Sequence, residues 1–217
     1  METFEDWYRS MPVITRTYMT ACFLTTMAVQ LDFISPLALY LNFGAITHHF
    51  EIWRLLTTFL FFDYFNLNFV FHMFFTIQHS KRLEEGSFRG RTGDYFFFLL
   101  FGAVGLLSTQ WVLHMAGLGS KIPFLAPSLA FMIVYVWSRR NRNVQMSFLG
   151  LFTFTAPYLP WVILGFGLLL GHSPLYDLLG LAFGHLYYFL EDVYPSITER
   201  RLLRTPAIIK YLFDQQQ

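Results

Sequence analysis

Six apolar stretches separated by short polar segments constrain the fold of this chain more than any other feature of its sequence. They cover approximately residues 18–33, 66–80, 95–113, 122–138, 158–170 and 175–193. Apolar residues make up 55% of the chain and charged residues 13%, whereas about a quarter of the residues in a soluble domain are charged. Because helices satisfy their own backbone hydrogen bonds inside a bilayer, we expect an all-α membrane protein with six transmembrane helices.

The basic residues orient these six segments. When the N-terminus is placed in the cytosol, every Lys and Arg except Arg54 and Lys121 falls on the cytosolic side. Short loops rich in Lys and Arg stay in the cytosol. We therefore expect both termini to be cytosolic, with an N-terminal segment 1–17, a membrane domain 18–193 and a short tail 194–217. Residues 1–16 lack the basic start and apolar core of a cleavable signal peptide.

Several apolar stretches are shorter than the ~20 helical residues that cross a bilayer. Such lengths predict local thinning of the bilayer around the protein. Two further apolar pieces are shorter still. Residues 52–62 have a length typical of a re-entrant or interfacial segment, and residues 145–155 follow a basic loop as an interfacial helix would.

Polar residues within the second stretch share one helical face. Asn68, His72, Thr76 and His79 follow one another at steps of four, four and three residues. Such a stripe either hydrogen-bonds to a neighbouring helix or lines water. Gln110 and Asp177 lie in the same extracytoplasmic half. We expect these side chains, from the second, third and sixth helices with the first loop, to form a hydrated hollow.

Two short motifs stand apart from the general apolar pattern. Trp53 and Arg54 lie in the apolar first loop. There, Arg54 is expected to hydrogen-bond to loop carbonyls or to Glu51. The alternative is a snorkelling arginine beside an interfacial tryptophan. In the last stretch, Gly180 and Gly184 permit a close helix contact, and His185 follows them directly. A histidine at membrane depth is either functional or a satisfied structural residue.

His185 is also where the base of an intramembrane serine protease would lie, so a nucleophile was sought. The chain contains no Gly-x-Ser-Gly sequence. Ser128 lies between Pro127 and Leu129, and Ser120 precedes Lys121, so neither serine has the glycine expected after it. We therefore expect a protein without enzymatic activity. A phosphate-binding Gly-rich loop is absent, Cys22 is the single cysteine, and basic residues form no large face, so no cofactor, metal or nucleic acid is expected.

Several longer strings resemble the derlin family, the rhomboid-like pseudoproteases of the endoplasmic reticulum. Besides Trp53-Arg54, they are LEEGSFRGRTGDY (83–95), VYVWSRRN (134–141), YLPW (158–161) and DLLGLAFGHLYYFLEDVYP (177–195). The resemblance implies a rhomboid-like six-helix fold with a membrane-embedded first loop. It also implies a role in moving misfolded proteins from the lumen to the cytosol for degradation.

The resemblance further implies the partners of the chain. They are misfolded client proteins, a membrane ubiquitin ligase complex, the lipid bilayer, other copies or subunits in an oligomer, and a cytosolic AAA ATPase. Some animal derlins carry a longer tail with an ATPase-binding motif, whereas this sequence ends soon after Phe213, so we expect a bridging partner for the ATPase. Three alternatives stay open: a scaffold that links clients to a ligase, an oligomeric pore, and residence in a plastid-surrounding membrane.

Overall fold

The computed structural model describes residues 3–117, 122–148, 152–169, 171 and 173–214. Most of these residues are helical. The α-helices are α1 (Phe4–Arg9), α2 (Val13–Gln30), α3 (Phe43–His49), α4 (Arg54–Thr57), α5 (Leu67–Arg82), α6 (Thr92–Met115), α7 (Ala126–Arg140), α8 (Leu159–Leu169), α9 (Leu175–Tyr188), α10 (Tyr194–Thr198) and α11 (Ala207–Asp214). Helices α5 and α9 each continue into one π-helical turn, Leu83–Ser87 and Phe189–Val193 respectively.

Helix α7 lies at the centre of the fold. Its residues from Ser128 to Ser138 are all buried. A helix that is apolar on every side must be surrounded by other elements. Helices α5, α6, α8 and α9 provide that surrounding, and α2 packs against α5 and α6. The sites described below are therefore built around α7.

Helix starts are defined by side chains that satisfy unpaired backbone N–H groups. Thr3 and Asp6 form a reciprocal capping box at the start of α1. The Asn66 side chain accepts a hydrogen bond of 2.8 Å from the Phe69 N–H at the start of α5. The start of α2 is capped from a distance, by Glu84. These caps position the helix ends that frame the sites described below.

Residues 145–155 are not the interfacial helix that the sequence predicted. They contain a two-stranded antiparallel sheet of β1 (Gln145–Phe148) and β2 (Phe152–Thr155), in which Met146 pairs with Phe154. Both of these side chains pack on the core. In a β-strand, successive side chains alternate between the core and the opposite side. In addition, β-branched Thr and aromatic Phe favour strands. The short apolar run concealed this alternation.

Each of the six predicted stretches coincides with a helix, namely α2, α5, α6, α7, α8 and α9. Within the described part of the chain, α6, with 24 residues, is the helix that meets both the length and the apolar composition needed to cross a membrane. The apolar helical segment Ala156–Leu169 is shorter. The helical architecture therefore agrees with the prediction, whereas the crossing of a bilayer by all six helices belongs to the proposal below.

Candidate functional site

Arg54 is the centre of a clamp on the first loop. Its side chain is buried, and its Nε donates to Glu51 Oε2 at 2.5 Å. One terminal nitrogen donates to the Leu37 and Tyr40 carbonyls at 2.8 and 2.9 Å. The guanidinium also lies 5.1 Å from the centre of the Tyr40 ring. The contacts with loop carbonyls and with Glu51 are those expected from the sequence, and they tie α4 to the chain preceding α3.

The residues around Arg54 extend this clamp to the central helix. Trp53 is half exposed, and its indole N–H donates to the Ala38 carbonyl at 3.3 Å. The Thr58 carbonyl accepts hydrogen bonds from the backbone N–H groups of Leu125 and Ala126, at 2.8 and 3.1 Å. These are donors at the start of α7 that have no intrahelical partner. The Trp53-Arg54 loop therefore caps the helix at the centre of the fold.

Gly180 and Gly184 line the contact between α9 and α7. A Cβ atom added to Gly180 would lie 2.3 Å from the Ser128 carbonyl oxygen, which is backbone and cannot rotate away. A Cβ atom on Gly184 would lie 2.9 Å from the Tyr135 ring. Glycine at both positions lets the two helices approach closely. The pair therefore sets the distance between α9 and α7.

His185 is engaged in a hydrogen-bond chain. Its Nδ1 lies 2.7 Å from the Tyr135 hydroxyl, and that hydroxyl accepts a hydrogen bond from Arg139 Nε at 3.1 Å. Ser128 lies two turns earlier on α7, about 10 Å along the axis from Tyr135. Its buried hydroxyl has no hydrogen-bond partner in the described structure. This arrangement pairs the histidine with a tyrosine and leaves Ser128 without a base. Ser120 lies outside the described residues.

A cavity of about 330 Å³ lies between α5, α7, α8 and the start of α9. Asn68, His72 and Asp177 contribute polar groups to its wall, and most of the remaining lining is aromatic or aliphatic. Thr76 also lines it, whereas His79 is fully buried and packs edge-on against Trp137. The cavity is therefore a largely apolar chamber with a few polar groups, and its hydration, expected from the sequence, stays a prediction.

The helices that bound this cavity differ from those predicted. Gln110, on α6, is fully buried and is not part of the lining. Helix α6 instead packs on α9, where Gly105 meets the Phe183 ring. The sequence predicts a place for the third stretch at the hollow because Gln110 lies in the extracytoplasmic half. Periodicity identifies a face of one helix, but not the neighbour that the face meets.

Asp63 organises the polar edge of the cavity. Its Oδ2 accepts hydrogen bonds from Asn66 and Asn68 at 2.9 and 3.2 Å. Burial acts to raise the pKa of Asp63, but the hydrogen bonds from Asn66, Asn68 and a backbone N–H outweigh it and hold the pKa below the ordinary 3.8. Asp63 therefore stays charged at neutral pH and fixes the orientation of the Asn68 amide.

Glu84 is a residue whose role sequence reasoning missed. Its buried carboxylate accepts from the Ile14 and Thr15 N–H groups at 3.1 and 2.9 Å and from the Thr15 hydroxyl at 2.7 Å. Burial raises the pKa of Glu84 above its ordinary 4.5, although these hydrogen bonds oppose the shift. The two adjacent glutamates in LEEGS mark this segment as unusually polar. Their sequence positions do not indicate that one of them caps a helix whose start lies 70 residues away.

Comparisons with known proteins agree with this architecture. A model of the Der1-like family matches residues 11–207. The chain is 53% identical over 216 residues to the probable derlin-2 homolog of Dictyostelium discoideum, covering 100% of this chain and 85% of that protein. It is 55% identical to derlin-2.1 of Zea mays, covering 98% and 87% of the two chains, and 51% identical to derlin-2.2 of Arabidopsis thaliana, covering 98% and 88%.

Similarity at this level extends over nearly the whole chain. The chain therefore belongs to the Der1-like family, the derlins.

Proposed function

We propose that this protein is a non-catalytic component of endoplasmic-reticulum-associated degradation that helps misfolded proteins leave the membrane or lumen for the cytosol. Derlins take part in this degradation process. The observation that carries the proposal is the cavity between α5, α8 and α9, which combines apolar walls with Asn68, His72 and Asp177. A chamber of this mixed character suits an unfolded segment, which presents apolar side chains together with backbone polar groups.

The unequal helix lengths support a thinned, partly hydrated membrane around this cavity. Helix α6 has 24 residues and is about 36 Å long. Helix α8, which borders the cavity, has 11 residues and is about 16 Å long, compared with about 30 Å of hydrocarbon. A bilayer adapts to a short apolar helix by thinning. A thinner barrier lowers the free energy needed to move polar groups across it.

Within this proposal, all six helices cross the endoplasmic reticulum membrane and both termini lie in the cytosol. The basic residues at the ends of α5 and α7 and in the last twenty residues support this orientation. The chain contains no phosphate-binding Gly-rich loop, so the driving force comes from partners. These are a membrane ubiquitin ligase complex and a cytosolic AAA ATPase reached through a bridging subunit, in a homo- or hetero-oligomer.

Two other functions make different predictions. A scaffold that links clients to a ligase would contact them on its cytosolic or lipid-facing surfaces and would not use the cavity. An intramembrane protease would need a base beside Ser128, yet His185 is bonded to Tyr135. Labelling of the wild-type chain, but not of Ser128→Ala, by a fluorophosphonate serine probe would overturn the non-catalytic proposal.

The test of the proposal is a cavity-filling substitution. Ser173 is an exposed residue at the rim of the cavity, and Ser108 is an exposed serine on α6 away from it. Ser173→Trp should lengthen the half-life of a misfolded lumenal client in cells that lack the endogenous derlin, because the indole occupies the entrance. Ser108→Trp, at equal expression, should restore wild-type turnover. Equal client half-lives for the two variants would contradict a role for the cavity.

A further inference from the structure

A second cavity, of about 400 Å³, lies at the opposite end of the protein from the first. It is bounded by the first turn of α6, the end of the π-helical turn after α9, and the segment before and within α11. Arg201, Arg204 and Lys210 contribute three basic side chains to its wall, and Asp94 and Glu191 contribute two acidic ones. The derlin role proposed above assigns no task to this cavity.

The acidic side of this cavity is already partly neutralised. Asp94 Oδ1 accepts from the Thr205 hydroxyl at 2.6 Å and lies 3.8 Å from Lys210 Nζ, while its Oδ2 lies 3.6 Å from Arg91. By contrast, Arg201 and Arg204 form no ion pair within 4.0 Å among the residues that the structure describes. Arg201 interacts electrostatically with Glu191 beyond ion-pair distance. Arg204, and in part Arg201, therefore remain available to an anionic ligand.

In the membrane crossing proposed above, on which this inference rests, helix α11 places this cavity beside the bilayer. Ile208, Tyr211 and Leu212 are exposed and lie on one helical face, at i, i+3 and i+4. On another face, the Phe213 ring packs against Phe96 with 4.8 Å between ring centres. Phe96 lies about 6 Å along α6 from its start, so α11 is held at the end of the longest apolar helix. An exposed apolar face at that depth is typical of an interfacial amphipathic helix.

We infer that this cavity binds the headgroup of an anionic phospholipid. Arg201 and Arg204 present planar donor groups that match phosphate oxygens, and Lys210 adds a positive charge. The acyl chains of the lipid lie along the apolar face formed by Ile208, Tyr211 and Leu212. This face favours a lipid over a soluble phosphate, because a soluble ion gains nothing from apolar side chains beside it. The bound lipid fixes the last helix of the chain to the membrane surface.

Native mass spectrometry of the full chain in detergent tests this inference. Phosphatidylserine or phosphatidylcholine is added at equal concentrations, and the protein–lipid dissociation constant is measured. Phosphatidylserine should bind more tightly. The double variant Arg201→Gln with Arg204→Gln should weaken phosphatidylserine binding on the order of tenfold or more, as expected for the loss of two basic residues at a membrane surface. Excess inorganic phosphate should not displace the lipid.

The matched control removes the same charge elsewhere. Arg89 and Arg200 are exposed arginines outside the cavity lining. Arg89→Gln with Arg200→Gln should leave phosphatidylserine affinity within about twofold of wild type, since the contacts with phosphate are intact. A second variant, Ile208→Ser with Leu212→Ser, retains all three basic residues and should still weaken lipid binding. Thermal unfolding of each variant in detergent confirms that it is folded.

Three results would overturn the inference. Equal loss of affinity in the two arginine pairs would indicate diffuse surface charge. Displacement by inorganic phosphate would indicate a site for a soluble anion. Equal binding of phosphatidylserine and phosphatidylcholine would show that the headgroup charge is not recognised.

Discussion

Among single residues, Arg54 illustrates how a charge is accommodated in an apolar loop. Its guanidinium satisfies two carbonyl groups that would otherwise lack donors, and Glu51 balances its charge. A buried charge is tolerated when it is paired and fully hydrogen-bonded. Through Thr58, the same loop supplies acceptors to the start of α7. The motif therefore has a structural role that is independent of any contact with clients.

Replacing Arg54 by Ala should lower the free energy of unfolding by about 2–3 kcal/mol, because two carbonyls and a carboxylate lose a charged donor. Denaturant unfolding of the protein in detergent measures this. Arg9→Ala is the matched control, since Arg9 forms an exposed ion pair with Glu5, and it should change stability little. A loss no larger for Arg54→Ala than for Arg9→Ala would contradict the clamp.

The glycine contact makes a second prediction at this scale. Gly180→Ala should destabilise the protein by about 1–3 kcal/mol, because the new methyl group meets the backbone of α7 and the helices must move apart. Gly165→Ala, on α8, is the control, since a Cβ atom there meets nothing within 4 Å. Its stability should stay equal or rise by up to ~1 kcal/mol. The midpoints of thermal unfolding of the two variants test this prediction. An equal decrease of the midpoint in both variants would contradict the close contact at Gly180.

Residue types were easier to predict than their partners. The hydrogen-bond partners of Arg54 were predictable because they lie in the same loop as Arg54. The partner of His185 was not predictable in this way, because Tyr135 lies on α7, 50 residues away in sequence. The capping of α2 by Glu84 is a long-range contact of the same kind. Long-range pairing is set by how helices pack, which a single sequence pattern does not specify.

At the scale of elements, α2 depends on a cap supplied by another part of the chain. Pro12 precedes α2 and its side chain offers no cap. The Glu84 carboxylate instead accepts from the first N–H groups of the helix, where negative charge is favoured by the helix dipole. The cost is burial of a carboxylate, which raises the pKa of Glu84. The π-helical turn Leu83–Ser87 places that carboxylate.

This raised pKa predicts a pH dependence. The folded state binds a proton at Glu84 more readily than the unfolded chain, so its contribution to stability is complete below the ordinary pKa of 4.5 and is lost as pH rises through the higher folded-state pKa. Glu84→Gln should reduce this decline in a series of thermal midpoints across that window. Glu85→Gln removes an exposed neighbouring charge that adds to the raised pKa of Glu84 less than burial does, so it should reduce the decline less than Glu84→Gln does. An identical pH profile for wild type and Glu84→Gln would refute the assignment.

The β1–β2 hairpin shows why one element was mispredicted. The segment 145–155 is short, and in a short apolar run the periodicity does not distinguish a helix from a strand. Its apolar content alone therefore led to the wrong prediction of a helix. Pairing of Met146 with Phe154 over the core adds to the local strand preference of Thr and Phe. The longer stretches gave no such ambiguity, and each of them coincides with a helix.

For the whole molecule, the sequence predicted the helices and the family but not the arrangement of the polar residues. Asn68, His72 and Asp177 come together, because α5 and α9 both begin at the same end of α7. Gln110 is directed into the core instead. The result is a closely packed α7–α9 contact beside a cavity that borders α8, the shortest of the six apolar helices. We propose that clients pass along this boundary.

Site-specific photocrosslinking tests whether clients follow this path. A benzoylphenylalanine at His72 faces the cavity, whereas the same probe at Phe74, two residues along α5, is exposed on another face of that helix. During degradation of a misfolded lumenal client, the probe at position 72 should crosslink to the client and the probe at position 74 should not. Crosslinks from position 74 or from cytosolic positions, with none from position 72, would contradict passage along the cavity and favour a scaffold.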